Sequence, residues 1–77
     1  MMNVEEKVKE IVAAVSGVEV SEVTLQSAIG DFPQWDSMGQ MAILQQVEET
    51  FEISFEPEEM MEFEDVNDIV RAVEAKL

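Results

Sequence analysis

Asp36 and Ser37 form the pair best placed to do chemistry in this chain. They follow Asp31-Phe32-Pro33-Gln34-Trp35 and open an apolar-periodic run, so the hydroxyl stands where a helix begins. Free backbone N–H groups and the positive end of the helix dipole converge there. A phosphodiester on that oxygen would put negative charge where an anion is favoured, by roughly 0.3–1 kcal/mol at an exposed position. Its larger effect would be to fix where a tethered group starts. Catalysis by the serine is a poor alternative, because a nucleophilic serine needs a base and the chain has no histidine. The absence of both histidine and cysteine argues equally against zinc and haem. No Asp-x-Asp-x-Asp-Gly run suggests an EF-hand. Carboxylates are plentiful, but a chain of 77 residues has little bulk to enclose a substrate. No catalytic or metal site is expected.

The same residues also have purely structural readings. Ser37-Met38-Gly39-Gln40 fits the S-x-x-Q capping box, in which serine and glutamine satisfy two orphan amides, and Asp36 could equally be the cap. Trp35 either packs over the preceding loop and staples it to the helices or forms a platform beside a tethered group. Met38 and Met41 fit a core stripe, yet methionine also suits adaptable contact surfaces. Met60 and Met61 are adjacent, so at most one points fully inward from a helix. Ten acidic residues and no basic one lie between Glu48 and Asp68, as a solvated face or a docking face.

Several elements must hold these residues in place. Val4, Val8, Ile11, Val12 and Val15 follow helical spacing, which predicts a helix over 3–15 with Asn3 as N-cap, Glu6 three residues on and Gly17 as the stop. In 18–36, Val18, Val20, Val23, Leu25, Ile29 and Phe32 are interleaved with Ser, Thr, Gly and Pro. This reads as a long ordered loop, a kind of segment that is often functional. A second helix is predicted over 37–51, with Met38, Met41, Leu44, Val47 and Phe51 on one face and Ile43 beside them. Pro57 opens a short helical turn to about Glu62. Asp65 caps a last helix whose stripe is Val66, Ile69, Val70 and Val73. No strand pair has a hairpin signal. The expected fold is all-α, a small four-helix bundle of three longer helices and one short one, with a long loop between helices 1 and 2. Residues 1–77 are expected to form a single domain.

Composition narrows the partners. Four Lys+Arg against 18 Asp+Glu give a net charge of −14, with no basic residue between Lys9 and Arg71. Nucleic acid and anionic membranes would be repelled, leaving proteins with basic patches, although acidity also simply favours solubility. The N-terminus lacks a basic start and an apolar run, and no stretch approaches the roughly 18 apolar residues of a membrane span. A cytoplasmic monomer without membrane insertion is the expectation.

On these residues the sequence resembles the acyl carrier protein family over nearly the whole chain. Asp36-Ser37-Met38 is similar to the family's Asp-Ser-Leu signature. Its setting also fits, with Gly17-Val18 closing the first helix, Val23-Thr24 in the loop, Glu48-Glu49 and Phe51 closing the second helix and Val66 opening the last. About one extra residue precedes the signature. The resemblance implies a four-helix bundle in which Ser37 bears 4′-phosphopantetheine and Asp36 serves recognition by a phosphopantetheinyl transferase, which would use coenzyme A and magnesium. The arm would carry acyl groups as thioesters to acyl-loading and condensing or acyl-transferring enzymes, with no bond-making by the carrier itself.

The sequence also departs from that pattern. Acidic residues usual directly after the signature and three positions later are Gly39 and Ala42 here, removing two docking charges. Phe32-Pro33-Gln34-Trp35 replaces a short glycine-containing approach. These features look more like dedicated carriers for polyketide, specialised lipid or aminoacyl pathways than the main carrier of fatty acid synthesis. Met38, Met41, Glu48 and Glu49 are the candidate partner-binding residues. Two rivals remain: an aminoacyl or peptidyl carrier using the same arm, and an acidic helical interaction module in which Ser37 is never modified.

Overall fold

In the computed structural model, which describes residues 3–77, local hydrogen-bond chemistry sets most helix ends. Asn3 accepts from the Glu6 N–H at 3.1 Å and starts α1, Val4–Ser16. Gly17 stops it at φ 71°, where the absence of a Cβ removes the left-handed penalty. The Val18 N–H then folds back onto the Ala13 carbonyl at 3.1 Å. A 3₁₀ turn at Val20–Glu22 follows, inside the segment read as irregular loop. α2 spans Ser37–Phe51, α3 spans Pro57–Glu62 and α4 spans Val66–Lys76. Asp65 accepts from the Asp68 N–H at 2.8 Å, as a cap should.

α1 packs against both α2 and α4. Their shared interior holds Val8 and Val12 of α1, Ile43, Leu44 and Val47 of α2, and Val66, Ile69 and Val73 of α4. Burying each such side chain contributes about 1.5–3 kcal/mol. α3 buries no residue completely and leans on the core mainly through Met60. Phe55 and Phe63, which flank it, meet edge to face with centroids 5.1 Å apart. Of the adjacent methionines, Met60 packs inward and Met61 is 85% exposed.

The long connection between α1 and α2 is ordered by backbone bonds to the approach of α4. Ile29 donates to the Glu64 carbonyl, Val66 to Ser27 and Asn67 to Leu25, each at 3.0 Å. Val23 and Trp35 are buried and fasten the connection to the core. No helix among the described residues is long and apolar enough to cross a membrane.

Candidate functional site

The start of α2 resolves the capping question in favour of Asp36. Its Oδ1 accepts from the Gly39 N–H at 2.9 Å, and its carbonyl accepts from the Gln40 N–H at 2.8 Å. Ser37 is thus the first helical residue, exposed and not needed as the cap. Gln40 does not complete a capping box. It is turned inward, 7% exposed, and its Oε1 accepts from the Trp35 indole Nε1–H at 2.7 Å. Its amide donates onward to the Phe63 carbonyl at 3.3 Å. Buried indoles need such a partner.

Trp35 is fully buried, which supports the packing role and excludes an exposed platform. It stacks on Phe32 with centroids 6.4 Å apart, and its carbonyl accepts from the Gly30 N–H at 2.7 Å. The loop then passes so close to α2 that a Cβ on Gly39 would overlap the Gln34 carbonyl oxygen. Gly39 is buried beneath that backbone. A glycine here therefore answers a close approach of the loop, beyond removing a docking charge from the surface.

Met38 and Met41 leave the expected core stripe. They are 82% and 62% exposed, whereas the buried face of α2 is Gly39, Gln40, Ile43, Leu44, Val47 and Phe51. The true stripe runs 40, 43, 44, 47, 51, and its polar first member disguises it. A tryptophan five residues ahead, in need of an acceptor, was the available signal. Met38 and Met41 instead line an open groove of about 570 Å³, together with Ala42, Leu44, Gln45, Glu48 and Met60. That volume falls within the roughly 300–1,000 Å³ of small-molecule sites. The groove begins beside the residue that follows Ser37 and runs along α2, with Met60 as its far wall.

The acidic candidates divide. Glu49 is exposed, while Glu48 is half-buried and accepts from the Phe55 N–H at 2.8 Å, tying the end of α2 to the chain beyond it. Three of the four basic residues already have acidic neighbours: Lys9 with Glu5 at 2.7 Å, Lys7 with Glu10 at 3.8 Å and Lys76 with Glu59 at 3.0 Å. Hydrogen bonding from the Glu56 backbone, and then from Lys76, lowers the pKa of Glu59 below its ordinary 4.5.

A covalently attached phosphodiester fits this arrangement. The hydroxyl is exposed, the fold does not use it as a cap, and an open groove with apolar side chains starts one residue away. A family model described as the phosphopantetheine attachment site matches residues 6–73. The chain is 37% identical over 75 residues to an acyl carrier protein of Streptococcus pyogenes serotype M3, covering 97% of each chain. It is 37% identical over 73 residues to one from Streptococcus pneumoniae serotype 4, covering 95% of each. The solution structure of a holo acyl carrier protein from Nitrosomonas europaea superposes with a TM-score of 0.79 at 29% identity, covering 97% of this chain and 96% of that one.

Proposed function

Because the chain belongs to the acyl carrier protein family, the family of the phosphopantetheine attachment site, we propose that Ser37 is the residue that bears its prosthetic group. The protein is an acyl carrier whose prosthetic group is 4′-phosphopantetheine. One observation carries the assignment to Ser37: an exposed hydroxyl at the first residue of α2, relieved of capping by Asp36. In the modification, Ser37 Oγ forms a bond to the phosphorus next to the pantetheine of coenzyme A. The diphosphate bond breaks, adenosine 3′,5′-bisphosphate leaves, and the serine proton is lost. Once attached, the arm supplies a thiol that holds acyl groups as thioesters.

Asp36 acts twice in this reading. Its Oδ1 holds the helix start, and the rest of its exposed carboxylate is available for recognition by the transferase. Met38, Met41 and Glu49 form the docking face for acyl-loading and condensing or acyl-transferring enzymes. Glu48 joins them as a groove wall. These partners perform the bond-making, and tethering raises the local concentration of the cargo at their active sites. Residues 1–77 work as one carrier domain, monomeric and cytoplasmic. The Trp35 approach and the covered Gly39 favour a dedicated pathway.

Intact mass spectrometry after incubation with coenzyme A and a broad-specificity phosphopantetheinyl transferase tests the assignment. The mass should rise by one 4′-phosphopantetheinyl group, and peptide mapping should place it on Ser37. Modification that persists in Ser37→Ala, or a wild type that no competent transferase modifies, refutes it.

A further inference from the structure

We propose that Trp35 and Gln40 are positioning residues for the modification of Ser37, acting together as a strap across the start of α2. The inference rests on Ser37 being the attachment point. The first turn of a helix is where its backbone donors lack intrahelical partners and where helices fray. Here that turn lies between two buried anchors, Trp35 at 0% exposure and Gln40 at 7%. Their side chains close on each other at 2.7 Å, spanning Asp36, Ser37, Met38 and Gly39. Gln40 carries the link to a third element, because its amide donates to the Phe63 carbonyl on the connection between α3 and α4.

Trp35 is held in turn by its own backbone. Its N–H donates to the Phe32 carbonyl at 2.9 Å, and its carbonyl accepts from Gly30 at 2.7 Å. On the other side, the Gln34 carbonyl lies against Gly39 with no room for a methyl group between them. The approach loop, the first turn of α2 and the entry to α4 are thus locked in one relative arrangement. Ser37 is exposed but stands on a turn that is clamped at both ends. An indole that merely filled the core would need any acceptor. This acceptor is a side chain whose other end reaches a different element, and that geometry makes the pair a strap.

The strap should act on the chemical step more than on docking, since it holds the backbone of the turn and leaves the Met38 and Met41 side chains facing solvent. Trp35→Phe/Gln40→Leu removes both partners of the buried bond, so neither an indole N–H nor an amide oxygen is left unpaired, and only the Phe63 carbonyl loses a donor. Trp35→Phe alone provides a second variant should the double variant fold poorly. Initial rates of transfer from coenzyme A, measured against carrier concentration, separate kcat from KM. Both variants should lose about ten-fold in kcat with KM changed less than about two-fold, since small misplacements of a reacting group carry penalties of this order or greater. Val73→Ala, a destabilising change in the core of α4, serves as the stability control and should keep wild-type kinetics well below its melting temperature. Wild-type kcat in both strap variants, or an equal loss in Val73→Ala, overturns the proposal. A wild type that is never modified on Ser37 instead overturns the attachment assignment, and the strap falls with it.

Discussion

Gly39→Ala sets two well-understood effects against each other, and their sum has a definite sign. By helix propensity alone, alanine inside a helix is more stable than glycine by about 1 kcal/mol. The surroundings of Gly39 oppose that gain. A Cβ there would overlap the Gln34 carbonyl oxygen and lie 3.2 Å from the Gln34 carbonyl carbon. The obstacle is backbone, and it cannot swing away as a side chain would, because Trp35 beside it is fully buried and hydrogen-bonded. Forcing extra volume into such a contact costs typically about 1–3 kcal/mol. With an overlap this severe we take the upper end, so the net loss is about 2 kcal/mol after the propensity gain. For a domain of this size that lowers Tm by about 8–16 °C. The assay is thermal melting by far-UV circular dichroism, with Trp35 fluorescence as a second probe of the loop. The emission should shift to the red as the indole loses its burial. Gly39→Glu, which adds a longer side chain and a charge at the same point, should destabilise further. A Gly39→Ala protein that melts at or above the wild-type temperature with unchanged emission would show that the loop yields freely, and would refute the close-approach argument.

Three more outcomes follow from other parts of the molecule. Glu52 ends α2 at φ 56° without being glycine, so Glu52→Gly should be more stable than the charge-matched control Glu52→Gln by about 0.5–1 kcal/mol in denaturant titration, and equal stabilities would contradict this. The lowered pKa of Glu59 stabilises the folded state above the ordinary value of 4.5 and loses that contribution as pH falls through the folded value; the Tm advantage of wild type over Glu59→Gln should therefore shrink from pH 6 to pH 3, and a constant difference would count against the Glu56 and Lys76 contacts. Met41 is 62% exposed, so Met41→Glu should melt like wild type yet lose roughly five-fold or more in kcat/KM with its own acyl-transferring enzymes, the loss of a docking contact worth about 1 kcal/mol; unchanged partner kinetics would remove Met41 from the docking face.

Much of the local structure was legible because it is written in local chemistry. Asn3, Gly17, Pro57 and Asp65 mark helix ends through bonds and backbone preferences that span only a few residues, and the observed ends fall on them. Ser37 at the start of α2 follows from the same logic, as does the surplus of acid over base. What only the tertiary structure decided involves partners distant in sequence or a polar group hidden inside. The choice between Ser37 and Asp36 as cap turned on Gln40, whose side chain was claimed by Trp35 and the distant Phe63 carbonyl. That claim also set the rotation of α2. Read by hydropathy, methionine belongs inside and glutamine outside, but a buried indole N–H required an acceptor, so Gln40 went in and Met38 and Met41 faced out. The path of the long connection depended on backbone bonds from residues 25–29 to residues 64–67, and peptide groups leave no mark in the side-chain pattern. The groove beside Ser37 exists because α3 brings Met60 opposite Met41, a meeting of two helices that neither stretch of sequence specifies alone.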